Sequence, residues 1–404
     1  MEKHISFVQA RQMLLDVLDP VSTESVELSR SGGRVLAQDL SARENIPPFD
    51  RSPYDGFAFC AADTVGASKD TPVTLRILEE IPAGAVPTKK ITEGTAAKVF
   101  TGSPIPQGAD AVIMYEKTRY DPHSVTIDIP MESGSNIVRA GEDIQKGSIL
   151  GRRGEPIDPG LAGTLAAQGI SSPLVYRIPR VAVISTGSEL AEASETPGPG
   201  KIRNSNRYML EAALTALGCQ PVYYGIAEDK VEGICRLLCR ALEECDAVIT
   251  TGGVSVGDYD VTADAMEMAG AKILFRGVGL KPGMACAYGI YKGKMLCGLS
   301  GNPASSMTNF YAVAVPALRR LAGHGVPLPE EIDVTLLDAY PSESRATRLL
   351  RGRLQLKEGK VCMSLASGQG NVVISSAIGC NVMAIVPAGS GPVPAGTTLK
   401  GFLL

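Results

Sequence analysis

Between residues 178 and 323, short apolar runs of strand length alternate with amphipathic runs of helix length. No other feature of the chain restricts its fold as strongly. Residues 181–185, 221–224, 247–250 and 273–275 read as strands, and 205–217, 231–244 and 261–269 as helices. A hairpin-like pair, 285–288 and 295–299, precedes a long helix from 302 to 322, which Pro316 is expected to kink. The alternation predicts a doubly wound α/β domain with a parallel sheet covered on both faces. Ligands of such sheets bind outside the carboxyl ends of the strands. Three turns fall there: STGSEL at 185–190, GIAED at 225–229 and TTGGVSVGDYD at 250–260.

The third turn says most about chemistry. Gly252 and Gly253 let the backbone turn tightly and approach a ligand with no Cβ in the way. Backbone N–H groups in such a turn can cradle an anion. Asp258 and Asp260 would repel that anion unless a cation lay between, which points to a phosphate site using a divalent metal such as Mg²⁺. A Gly-rich β–α turn with solvated acids is the plainer reading. Glu189 and Asp229 add carboxylates at the neighbouring strand ends, where they could hold a metal or orient water. Lys281-Pro282-Gly283 could aim an ammonium at a phosphate or oxyanion, or be a surface turn. Gly301-Asn302-Pro303 opens a helix whose first N–H groups could bind an anion, or which Ser300 or Asn302 simply caps.

A chain of 404 residues is too long for one ordinary core, so about two to four domains are expected. A net charge of −4 gives no nucleic-acid or membrane footprint, and no run of 18 apolar residues predicts a membrane span. The N-terminus reads as an amphipathic helix and not a signal peptide. Nine scattered cysteines, an odd number, suit reduced thiols in a cytoplasm. Cys235, Cys239 and Cys245 lie closest together; without a CxxC pair or a nearby His they read as small core residues and not metal ligands. His4, His123 and His324 have no ligand spacing, so chemistry would rest on carboxylates, hydroxyls, lysine and backbone. No GxGxxG opens a βαβ unit and no GxxxxGK[ST] occurs, which argues against a dinucleotide dehydrogenase and a P-loop enzyme.

Residues 1–44 read as mostly helical, and β-like runs at 73–78, 96–100, 111–115 and 124–129 suggest a small β domain. Asp158-Pro159 opens a second helix ending at Gly169, expected to pack with the first. The expected division is therefore a discontinuous helical and linker domain (1–44 and 142–177), an inserted β-rich domain (45–141), the α/β domain (178–326) and a C-terminal β barrel (327–404). Barrel strands are expected at 332–337, 351–356, 361–365, 372–375 and 382–386.

Together the motifs resemble the molybdopterin molybdenumtransferase (MoeA) family, related to the gephyrin E domain. The segment from Pro48 to Ala58 resembles P-x-F-D-x-S-x-M-D-G-Y-A, and TGSPIP at 101–106 resembles T-G-A-P-x-P. RAGEDI at 139–144, STGSEL at 185–190, Asn204-Ser205-Asn206-Arg207, GGVSVG, KPG and GNP follow in the family's order over nearly the whole chain. The resemblance implies an elongated four-domain subunit, a homodimer, whose third domain is similar to molybdopterin adenylyltransferase. It implies a cytoplasmic enzyme that takes adenylylated molybdopterin and molybdate, cleaves the pyrophosphate bond, releases AMP and leaves molybdenum cofactor, with Mg²⁺ as the divalent ion. It further implies contact with the adenylyltransferase and with molybdoenzyme maturation factors. By matching positions it suggests Asp55, Thr101, Asp143, Glu189, Asp229, Asp260 and Lys281 at the active cleft, with Glu189, Asp229 and Asp260 near the metal. Asn206, Gly252, Gly253, Ser255, Gly301, Asn302 and Pro303 would lie near the nucleotide or pterin phosphates. Asp55 and Thr101 would serve the cleft of the partner subunit. The alternatives on the same fold are a non-catalytic scaffold and a tungstate-inserting enzyme. Departures from the family pattern are Gly277 and Met284 where it has outer lysines, for which Arg276 is expected to compensate in part, and Tyr54, Ser300 and Asn371.

Overall fold

The computed structural model describes residues 3–254 and 261–404. The chain forms two compact units, one of Met1–Gln38, Arg153–Asp158 and Ser172–Leu404, the other of Asp39–Arg152 and Pro159–Ser171.

The first unit is built on a seven-stranded sheet. Its strands are β1 (Lys3–Ile5), β2 (Arg180–Thr186), β3 (Gln220–Ala227), β4 (Ala247–Thr251), β5 (Lys272–Val278), β7 (Cys286–Tyr291) and β8 (Lys294–Leu299), with a short strand β6 (Leu280–Lys281) outside it. The spatial order is β1-β5-β7-β8-β4-β2-β3. Helices α1 (Phe7–Leu15), α2 (Ser205–Ala216), α3 (Val231–Glu244) and α4 (Val261–Met268) accompany it. Alternate residues of β2 face opposite ways, as strand geometry requires. Val181 and Val183 pack with Leu210 and Leu214 of α2, while Ala182 and Ile184 pack with Ile234 and Leu238 of α3. Both faces are thus covered, as the sequence predicts.

The sheet is mixed and not purely parallel, because β7 runs antiparallel to both β5 and β8. Lys292 (φ 48°) and Gly293 (φ 78°) make a two-residue turn between Tyr291 and Lys294, and such a turn joins only antiparallel neighbours. The N-terminal stretch also departs from expectation. Within 3–44 only Phe7–Leu15 is α-helical, capped by the Ser6 hydroxyl and Gln9 in a reciprocal box, and β1 joins the sheet parallel to β5.

The helix expected over 302–322 is divided into α5 (Pro303–Asn309), a π-helical turn (Phe310–Ala314) and α6 (Val315–Leu321). Pro316 has no N–H to donate to the Ala312 carbonyl four residues earlier. That carbonyl instead accepts a hydrogen bond from Nε of Arg11 on α1. The Arg11 guanidinium lies over the rings of Phe7, 4.8 Å away, and Phe402, 5.2 Å away, so one cation ties α1, the interrupted helix and the last strand together.

The C-terminal part is a closed five-stranded barrel of β9 (Glu331–Leu336), β10 (Thr347–Lys357), β11 (Lys360–Leu365), β12 (Val382–Val386) and β13 (Thr398–Leu403), in the order β10-β11-β9-β13-β12 and back to β10. Strand β13 is an addition to the sequence reading, and residues expected as a strand at 372–375 run instead into a 3₁₀ turn (Ile374–Ala377). Arg351, fully buried, fastens this corner by donating to Ser376 Oγ (3.1 Å) and to the Gly370 carbonyl (3.2 Å).

The second unit holds a six-stranded sheet of Gly56–Phe59, Val73–Ile81, Thr95–Val99, Ala111–Met114, Arg119–Tyr120 and Ser124–Ile127 around Phe57, Phe59, Leu75 and Ile113. Its α-helix is Pro159–Ala167, within the span read from the sequence, but it belongs to this unit and not, as expected, with Phe7–Leu15, which belongs to the first.

Replacing Arg11 with Ala should strand the Ala312 carbonyl and leave a void beside Phe402. We expect a loss of about 2–4 kcal/mol, measured by urea denaturation at neutral pH.

Candidate active-site edge

Strands β5, β8, β4, β2 and β3 run parallel to one another, so their carboxyl ends share one edge. From β2 the chain crosses to β3 on one side; it returns to β4 on the other and continues toward β8 and β5. The order therefore reverses between β2 and β4, where a crevice opens in sheets of this kind. STGSEL and the start of TTGGVSVGDYD flank that point.

The two turns nearly touch. Gly252 has φ +100°, and a Cβ there would lie 2.3 Å from the Thr186 carbonyl oxygen. Gly253 has φ +64°, and its Cβ would lie 2.7 Å from Thr262 Oγ1. The N–H of Gly252 donates to the Leu299 carbonyl (2.9 Å), so this glycine's contribution is close approach and not anion binding. Ser255, Asp258 and Asp260 lie outside the described residues.

Asn206 links three turns. Its Nδ2 donates to Thr251 Oγ1 (2.7 Å) and to the Gly301 carbonyl (2.9 Å), while its Oδ1 is buried without a partner among the described residues. A Cβ on Gly301 would lie 3.6 Å from the Gly252 α-carbon. Asn302 occupies the N-cap of α5, with Pro303 in the first turn, but its side chain makes no capping bond. Ser300 Oγ accepts from the Asn302 N–H (3.3 Å) and secures the turn.

Glu189 folds its carboxylate over Gly187, where a Cβ would meet it at 2.6 Å. The Asp229 carboxylate accepts, weakly, from the Ser188 N–H at 3.4 Å. Both acids are exposed and approach the same backbone corner. Among the described residues no group of three acid, His or Cys side chains could hold a metal ion.

Lys281, exposed, sits on a turn fixed from beneath. Asn309 Nδ2 donates to the Gly283 carbonyl (2.7 Å), and the Tyr288 hydroxyl donates to Asn309 Oδ1 (2.7 Å), all buried. Arg276 is the residue expected to compensate in part for the missing lysines. It is engaged by Asp264 (3.4 Å) and Glu267 (3.3 Å) on α4.

In the second unit, Asp55 Oδ1 accepts from the Thr101 N–H (2.7 Å) and hydroxyl (2.8 Å). The backbone bond first, and then the hydroxyl, hold the Asp55 carboxyl below its ordinary range. Arg139 and the Ala140 N–H both bond Asp50, which clamps the loop bearing Asp143 against the one bearing Asp55. Asp143 itself is exposed and held by its N–H to the Ile46 carbonyl (3.1 Å).

Sequence reasoning missed one cluster. Glu192 accepts from Arg207 (2.8 Å) and Tyr223 (2.8 Å), and Asn204 donates to Ser185 Oγ (2.9 Å). The Arg207 guanidinium stacks 3.7 Å from the Tyr223 ring centre. This cluster braces the STGSEL turn against the start of α2; only the Asn204–Arg207 motif hinted at it.

Replacing Thr101 with Val removes one of two donors to Asp55. The carboxyl should then titrate at higher pH, yet still below its ordinary value because the backbone bond remains. In the native chain this contribution to stability is present above the unfolded-state pKa and is lost as pH falls through the lower folded value. Side-chain carboxyl NMR titration of Asp55 in both proteins checks the shift.

Residues 5–169 match the family described as "MoeA N-terminal region (domain I and II)", and residues 182–320 match "Probable molybdopterin binding domain". A molybdopterin molybdenumtransferase of Staphylococcus epidermidis is 37% identical over 400 residues, covering 99% of this chain and 95% of that one. One of Bacillus subtilis is 36% identical over 386 residues, covering 95% and 90%. The crystal structure of the molybdopterin biosynthesis moeA protein from Pyrococcus horikoshii OT3 superposes with a TM-score of 0.85 at 32% identity, covering 100% of both chains. With both halves matched and full-length relatives well above 30% identity, the chain belongs to the molybdopterin molybdenumtransferase (MoeA) family.

Proposed function

We propose that this protein is a molybdopterin molybdenumtransferase that inserts molybdate into adenylylated molybdopterin and releases AMP. One observation carries the reading: a chain 37% identical over 400 residues to a named enzyme of that activity has its glycine-floored crevice where the strand order of its central sheet reverses.

In this reading the pyrophosphate of the substrate lies over Gly252 and Gly253, with Ser255, Gly301, Asn302 and Pro303 alongside. Glu189 and Asp229, with Asp260, would hold Mg²⁺. Exposed carboxylate oxygens at one corner suit an ion that keeps several waters and takes one or two carboxylates plus substrate phosphate. When bound, the ion supplies positive charge to pyrophosphate oxygens as the AMP leaving group forms. Lys281 adds a fixed charge on its braced turn. Asp55, kept ionised by Thr101, and Asp143 complete the set.

We further read the working form as a cytoplasmic homodimer in which Asp55 and Thr101 serve the partner subunit's cleft. Among the described residues no helix is long and apolar enough to cross a membrane.

Purified protein with adenylylated molybdopterin and Mg²⁺ should release AMP only when molybdate or tungstate is added, and the two rates give the oxyanion preference. Chelation of Mg²⁺ should stop release. Asp55→Ala should still fold, with a slightly lower thermal midpoint, and lose about 10²-fold or more in rate. Mixing inactive Asp55→Ala and Lys281→Ala chains should restore part of the activity, because a shared site leaves one of two clefts intact. AMP release without oxyanion, or full activity in Asp55→Ala, would overturn the reading; failure of the mixture would remove the shared cleft alone.

A further inference from the structure

Cys235 and Cys239 stand one turn apart on α3, outside the edge that carries the proposed reaction. Their Sγ atoms lie 3.9 Å apart. Cys239 is exposed and Cys235 half-buried, against the expectation that both are core residues. The inward face of α3 is instead filled by Ile234, Leu238, Ala241 and Leu242.

A helix sets what two such thiols can do. Side chains four apart have Cβ atoms roughly 5–6 Å apart. A disulfide needs about 3.5–4.5 Å, so the pair cannot oxidise to one without unwinding α3. Two thiolates can instead share a metal ion. With metal–sulfur bonds of about 2.3 Å, a 3.9 Å sulfur separation subtends about 116° at the metal, close to tetrahedral. A cavity of about 440 Å³ opens directly beside Cys239, lined also by Glu243, Tyr291 and Lys292. Cys235 does not line that cavity, but Cys239 is exposed, so water can complete the coordination of an ion held by both sulfurs.

We propose that Cys235 and Cys239 form a surface dithiol site for a soft divalent cation of the zinc and cadmium class. Binding replaces each S–H bond by a metal–sulfur bond. One M²⁺ enters, up to two protons leave, and no oxidation occurs. Each thiol must lose its proton to ligate the ion, so apparent affinity rises with pH. No third acid, His or Cys joins the pair among the described residues, so affinity should fall below that of a four-ligand structural site.

The test is titration of the reduced full-length protein with Cd²⁺ alone, followed by the ultraviolet thiolate-to-metal charge-transfer band. Cys235→Ser, Cys239→Ser and, as a control thiol, Cys60→Ser are titrated alongside. The expected result is one tight equivalent in the native chain and in Cys60→Ser, with at least tenfold weaker binding in each of the other two and stronger binding at pH 8 than at pH 6.5. No band in the native chain, or equal affinity in Cys239→Ser, would overturn the site. Circular dichroism of the serine variants separates lost ligation from lost folding.

Discussion

The crevice depends on how closely two turns pass. A Cβ on Gly252 would lie 2.3 Å from the Thr186 carbonyl, so the ends of β2 and β4 can meet only as bare backbone. Everything else along that edge is arranged around the contact. The Gly252 N–H is already committed to Leu299, which leaves the floor a shaped surface and not a full set of anion donors. Selectivity must then come from groups at the rim. Asn206 is tied to Thr251 and Gly301 together, so α2, β4 and the approach to α5 cannot shift independently without breaking a buried amide bond.

Lys281 is placed by a second chain of buried polar contacts. Tyr288 on the antiparallel strand orients the Asn309 amide, and that amide holds the carbonyl of Gly283. Each partner is satisfied, so the network adds direction as well as cohesion. Asn309 ends α5, immediately before the π-helical turn in which Arg11 bonds the Ala312 carbonyl that Pro316 leaves without a donor. The charge at the edge is therefore referred, through α5, to the same packing that joins α1 to the barrel.

Much of this was legible in the chain. The strand ends at Thr186 and Thr251 were readable to within one residue because β-branched runs stop at glycine, whereas the strand ending at Ala227 runs three residues past the expected 224, since Gly225 read as the start of a turn. The antiparallel pairing of β7 with β8 was readable as a hairpin, whereas its pairing with β5 was not, because apolar residues mark a buried strand but not its neighbour. Gly56–Phe59 was hidden by the turn residues before it, and Thr398–Leu403 by the lysine and glycine within it. Beyond the Asn204–Arg207 motif, the Glu192–Arg207–Tyr223 cluster could not be read, since Arg207 and Tyr223, 15 and 31 residues from Glu192, become its partners only after α2 and β3 pack. Cys239 failed for the opposite reason: its apolar neighbours suggested a core, but helical phase turns it outward.

The missing lysines show how topology can stand in for a motif. Gly277 has φ +76°, a conformation lysine would adopt only with strain, and the Met284 carbonyl is occupied by the Val278 N–H. Arg276, the nearest cation in sequence, is neutralised by two acids of α4. The next positive charge comes from the barrel. Strand β6 pairs in parallel with β10, setting Lys281 opposite Arg348. Arg348 in turn lines a cleft of about 710 Å³ together with the Gly368–Asn371 loop, whose backbone the buried Arg351 and Gln369 hold. The register thus pairs two basic residues 67 positions apart, and a one-residue slip of β6 against β10 would turn one of them to the opposite face.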